Sequence, residues 1–145
     1  MSRYLLDLNI LLALLDPLHV FHEAAHRWVE TTPGLRFLTC PLVQNGVVRI
    51  ASQSAYPNAF GTAAEVCAVV AAFCADPRHE FCPDDISLVD PAHLVRPALL
   101  TPSRVTDLYL LALARRHGAR LATFDRRIPA EAVPDGPRHL TVIDA

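Results

Sequence analysis

Short apolar runs alternate along this chain with longer segments whose apolar residues recur every three or four positions. The short runs predict strands at Tyr4–Asp7, Phe37–Thr39, Glu80–Cys82, Arg120–Ala122 and Leu140–Ile143, the last at a sheet edge. The longer segments predict helices at Asn9–Leu15, Phe21–Thr31, Leu42–Ala51, from Thr62 to about Ala75, and from Thr101-Pro102 to Arg115-Arg116-His117. Boundary residues agree with these limits. Asp16-Pro17 stops the first helix, Thr62-Ala63-Ala64-Glu65 is a capping box, Thr101 precedes a first-turn proline, and Gly118 follows the cations of the last turn. Alternation of strand and helix without repeat, linker or low-complexity tract predicts a single α/β domain over residues 1–145, with a mostly parallel sheet.

Composition narrows the function classes. Of the 145 residues, 52% are apolar and 19% charged, enough for a packed core and against disorder. The net charge of −2 argues against coating nucleic acid by bulk attraction, but leaves room for a nuclease whose acids gather at a metal. All the basic residues are arginine, and those from Arg96 to Arg127 form either a phosphate-facing patch or a solvated helix face. Cys40, Cys67, Cys74 and Cys82 lack the paired spacing of a zinc ribbon; Cys67 and Cys74 read as small core residues in a reduced, cytoplasmic protein. No apolar run approaches the ~20 residues of a membrane span. Asp7 and Asp16-Pro17 interrupt the N-terminal segment, which reads as strand and helix and not as a signal peptide.

The chemistry lies in three aspartates. Asp7 and Asp125 each end a short apolar strand, the edge of an open α/β sheet where ligands bind. Asp107 shares a helical stripe with Leu110, Leu111 and Ala114, a costly place for a carboxylate without a partner. A second polar face of the helix or an arginine partner would explain Asp107, and each acid taken alone could be purely structural. The three together suit a hard divalent cation, because clustered carboxylates repel and a cation relieves the repulsion.

The segments LLDLNILLALLD, CPLVQNG and VTDLYLLALARRHGARLATFDRRI, in this order, resemble the PIN-domain family, in particular the VapC ribonuclease toxins of actinobacterial type. The similarity runs from Leu5 to Ile128. It implies a three-layer α/β/α fold around a central, mostly parallel sheet of four to five strands. It also implies Mg²⁺- or Mn²⁺-dependent endoribonuclease activity, inhibition by an antitoxin protein, and a homodimer. Asp7, Asp107 and Asp125 match three of the family's four acids and would ligate the metal. Asn9, Thr106 and Thr123 match positions that orient them, and Arg104, Arg126 and Arg127 are candidate contacts to the RNA backbone. The fourth acid, usually glutamate, is Gln44 here, which keeps a carbonyl acceptor but lacks the charge. The alternative is a PIN-like binding module whose site has decayed from Gln44 onward, binding an antitoxin and RNA without cutting.

His22-Glu23-Ala24-Ala25-His26 matches the helical zinc-protease motif. Phe21, Ala24, Ala25, Trp28 and Val29 form the apolar face of that helix, so His22, Glu23 and His26 are expected on the opposite, solvent face, with no third ligand nearby. That arrangement excludes the floor of a zinc cleft.

Overall fold

The computed structural model describes residues 2–145. Five strands, β1 (Arg3–Leu6), β2 (Arg36–Thr39), β3 (His79–Phe81), β4 (Arg120–Thr123) and β5 (Leu140–Val142), form one sheet in the order β3-β2-β1-β4-β5. Every pairing is parallel. The helices are α1 (Leu8–Leu15), α2 (His22–Thr31), α3 (Pro41–Ala51), α4 (Ala63–Cys74) and α5 (Val105–Arg116). From β1 the chain steps through β2 to β3 in one direction, so right-handed crossovers set α1 to α4 on one face of the sheet. It then crosses back past β1 to reach β4, which sets α5 on the other face. With both faces covered, the strands bury consecutive residues and not alternate ones. Leu5, Leu6, Phe37, Leu38, Leu121 and Ala122 are all at 1% exposure or less, packed between Ile10 and Leu11 of α1 and Leu110 and Leu111 of α5.

Three sequence expectations change. A short 3₁₀ turn, Pro102–Arg104, precedes α5, and Thr101 makes no side-chain cap bond, so Arg104 stands at the head of the helix. Cys67 is exposed, whereas Cys40 and Cys82 are buried, and burial pushes both of those thiols up to about 12. On α4 only Val66 and Val70 are fully buried, one helical turn apart, and Ala64, Cys67, Ala68, Val69, Ala71 and Ala72 face outward. The third change concerns the two histidines of α2, which do not project into solvent. His22 Nδ1 lies 2.7 Å from the Ala13 carbonyl and His26 Nε2 lies 3.0 Å from that of Leu14. A carbonyl only accepts, so both rings donate, and they satisfy the open last turn of α1. One nitrogen of each ring is thereby taken up in helix packing, and among the described residues no third His, Cys, Asp or Glu side chain joins the pair to complete a zinc site.

At the N-terminal edge of the sheet, Glu80 binds Arg3 at 2.8 Å and Arg36 at 2.9 Å, which holds its carboxyl at about 2. Arg3 also donates to the His117 carbonyl at 2.6 Å, tying β1 and β3 to the end of α5. These contacts lock the edge opposite the site.

Candidate active site

The sheet order reverses between β1 and β4, and in such sheets ligands bind in the crevice beyond the carboxyl ends of the two strands. Asp7 follows β1 directly, and Asp125 stands two residues after β4. Asp7 is also the N-cap of α1: its Oδ1 accepts from the Leu8 amide at 2.7 Å. Its Oδ2 accepts from the Thr123 hydroxyl at 2.7 Å. Only 6% exposed, Asp7 has its carboxyl pKa raised, chiefly by burial and further by the charges of Asp107 and Asp125.

Thr123 is the hub. Fully buried at the end of β4, it donates to Asp7 and accepts from the Asp125 amide at 3.1 Å and from Asn9 Nδ2 at 3.2 Å. Asn9 therefore acts on Asp7 indirectly, by fixing Thr123; its Oδ1 also receives the Phe124 amide at 3.3 Å. Thr106 points elsewhere. It is exposed and lines an apolar groove with Leu42, Ile86, Val89, Val105 and Tyr109.

Asp107, in the first turn of α5, faces Asp125 across Arg104. A single guanidinium nitrogen, Nη1, lies 2.9 Å from Asp107 Oδ2 and 2.9 Å from Asp125 Oδ2. The two carboxylates are thus separated by no more than twice that distance. Burial alone would raise Asp125, but the Arg127 amide at 2.8 Å and the Arg104 guanidinium together hold it below the usual carboxylate range. Arg104 is the arginine partner that Asp107 needed, and its i, i+3 spacing to Asp107 was the only sequence signal for it. Arg127 stands at the rim, its side chain 84% exposed and 3.8 Å from Asp125, whereas Arg126 pairs with Asp144 at the surface.

Gln44 makes no hydrogen bond to the three aspartates. Its Nε2 donates to Thr39 Oγ1 at 2.8 Å and lies 3.7 Å from Cys74 Sγ, in the gap between α3 and α4. An amide seeks an acceptor, and Thr39 at the end of β2 supplies one. Asp84 and Asp85 are likewise engaged. Asp84 caps the Leu42 amide at 2.9 Å and accepts from Tyr109, and Asp85 pairs with His117 at 2.9 Å.

The donors here are all oxygens, which suits a hard divalent ion. Among the described residues, no three His, Cys, Asp or Glu side chains converge as a ready-made ion cage. Two acids already hold a positive charge at their meeting point, and the third stands near enough for their charges to raise its carboxyl pKa further.

The PIN-domain family pattern matches residues 4–133. The chain belongs to the PIN-domain family. This PIN domain is 40% identical over 142 residues to ribonuclease VapC44 of Mycobacterium tuberculosis, covering 97% of this chain and 99% of that one. It is also 40% identical over 128 residues to ribonuclease VapC39 of the same species, covering 88% and 92%. Its fold matches that of VapBC2 from Rickettsia felis, solved bound to a DNA fragment from their promoter, with a TM-score of 0.62, 14% identity, and coverage of 99% and 100%. It also matches Mycobacterium tuberculosis VapC20, a toxin that cleaves the sarcin-ricin loop, with a TM-score of 0.62, 16% identity, and coverage of 90% and 99%. The three-layer architecture expected from the sequence is the one these structures share.

Proposed function

We propose that this PIN domain is the endoribonuclease toxin of a toxin–antitoxin pair, using Asp7, Asp107 and Asp125 to hold Mg²⁺ or Mn²⁺. The observation that carries this is the placing of the three acids at the sheet's switch point: Asp107 and Asp125 share Arg104, and Asp7, bound to the Thr123 hydroxyl that also receives the Asp125 amide, feels the charge of both. The names of the relatives, ribonucleases nearly the length of this chain, support the reaction class. A divalent ion at these carboxylates supplies activation of the attacking water and neutralises charge on the leaving oxygen.

The protein's own residues do the rest. Thr123 and the Leu8 amide fix both oxygens of Asp7, so its orientation is set before anything binds. Arg127 offers an exposed guanidinium to the phosphate backbone beside Asp125. An open, shallow edge of this kind suits single-stranded or looped RNA. The outward apolar face of α4 supports an interface with the antitoxin or with a second copy in a homodimer. By contrast, the apolar face of α2 is already occupied, with Ala25 buried and Trp28 packed edge-on against Tyr4 at 5.1 Å. The binding-module alternative draws on Gln44 alone, and Gln44 makes no hydrogen bond to the acids.

The test is cleavage of RNA by purified protein. Activity is expected to vanish in EDTA, to return with Mg²⁺ or Mn²⁺, and to disappear in Asp107→Ala. Cleavage that survives EDTA and Asp107→Ala refutes the metal mechanism, and a folded, metal-binding protein that never cuts establishes the binding module.

A second expectation concerns residue 44. Gln44→Glu restores the charge usual in the family and removes the amide donor that holds the side chain on Thr39. The Mg²⁺ concentration for half-maximal cleavage is expected to fall. An unchanged value shows that residue 44 lies outside the metal's reach.

A further inference from the structure

Positive charge already sits where Asp107 and Asp125 meet. Arg104 Nη1 is 2.9 Å from an oxygen of each, and its side chain is only 20% exposed. A single nitrogen bridging two carboxylates occupies their convergence point, and an ion with ligand distances of ~2.1 Å cannot share that space. Resting on the reading of these acids as metal ligands, we infer that Arg104 is an internal counter-ion that a divalent cation displaces, so that loading the site exchanges an arginine for a metal.

The local structure permits the exchange without unfolding. Arg104 closes the 3₁₀ turn Pro102–Arg104 at the head of α5, and its side chain makes no cap hydrogen bond to the helix. Its long side chain can leave by rotation alone. Asp107 and Asp125 do not depend on Arg104 for position, because α5 carries the first and the Thr123 hydroxyl and Arg127 amide hold the second. Asp7 takes no part in the exchange, since its two oxygens are held by Leu8 and Thr123. Once released, the guanidinium stands at the rim beside Arg127, facing the same side as an approaching phosphate. The RNA contact expected of Arg104 from sequence is therefore available only in the loaded state. Before loading, Arg104 screens the repulsion between the two acids and keeps the site closed to weakly bound cations.

The test measures Mn²⁺ binding by calorimetry on RNA-free protein. Arg104→Gln is expected to tighten the apparent Kd by roughly three- to tenfold, the range of the two partly exposed ion pairs it removes. Arg127→Gln removes an equal charge from the rim and is expected to change it by less than about twofold. The rise in Tm on adding Mn²⁺ is expected to be larger for Arg104→Gln than for the unmodified chain, which checks the same linkage even if the variant is less stable without metal. In cleavage assays the variant is expected to need less metal but to show a raised KM for RNA. Equal tightening in both variants, or none in Arg104→Gln, overturns the exchange while leaving the metal reading intact. Absence of Mn²⁺ binding by every form overturns both.

Discussion

Asp7→Asn is expected to abolish cleavage while making the metal-free protein more stable. The two effects share one cause. Asp7 is 6% exposed and its carboxyl is pushed up mainly by burial, so its charge is a burden on the fold that a bound cation would relieve. Asparagine keeps an oxygen to cap the Leu8 amide and occupies nearly the same volume; it carries no charge and gives up only the bond accepted from the Thr123 hydroxyl. Removing partners outside the ligand sphere of a metal site already costs 10- to 100-fold, so loss of a direct ligand is expected to lower cleavage by more than about 100-fold. The melting temperature without metal is expected to rise by about 2 to 4 °C for each kcal/mol of charge burial removed. A variant that melts lower than the parent would show that Asp7 is held by its hydrogen bonds more strongly than it is penalised by burial.

The pH dependence has a definite sign. A carboxyl with a raised folded pKa binds its proton more tightly when folded, so the metal-free protein gains stability as pH falls through that value toward the ordinary range. Asp7→Asn lacks this gain. Its stability advantage should therefore be full at neutral pH and shrink on acidification. Glu80 acts in the opposite sense: held at about 2 by Arg3 and Arg36, it contributes stability above the usual 4.5 that is lost as pH falls from there toward 2. Melting curves across pH for parent and variant separate the two, because only the first differs between them.

Gly136→Ala is expected to be the most destabilising small substitution. A Cβ at Gly136 would lie 1.8 Å from the Ala130 carbonyl oxygen and 3.4 Å from Leu111 Cδ2 of α5. Both the carbonyl and the glycine belong to backbone packed on the helix that carries Asp107, so neither can move without shifting that packing. Overpacking of this kind costs about 3 kcal/mol, which in a chain of this size lowers Tm by roughly 10 °C. Gly46→Ala is the control. Its Cβ would meet Leu8 Cδ1 at 2.5 Å, the end of a flexible side chain, and the expected loss is about 1 kcal/mol. Equal melting temperatures for the two variants would mean that the 130–136 segment yields as easily as a leucine methyl.

All five strands and the five helices were legible in sequence, as was the placement of each acid. Their periods follow from local backbone geometry and burial, which residues near in sequence report. Where sequence went astray, a non-local partner was responsible. His22 and His26 have the spacing of metal ligands, yet α1 ends beside them and its open carbonyls take both rings. Cys67 sits in an apolar run, yet α4 packs along a stripe only wide enough for Val66 and Val70.

The acids of this PIN domain show the same division. The local pattern of apolar residues already places Asp7 and Asp125 after strands and Asp107 on the inner stripe of a helix. Strand packing in three dimensions sets β4 beside β1, which lets Thr123 reach across 116 positions to Asp7. Tertiary packing likewise turns Arg104 inward to join Asp107 and Asp125. Strand order and side-chain pairing depend on which surfaces pack together once loops close, and no local period encodes that.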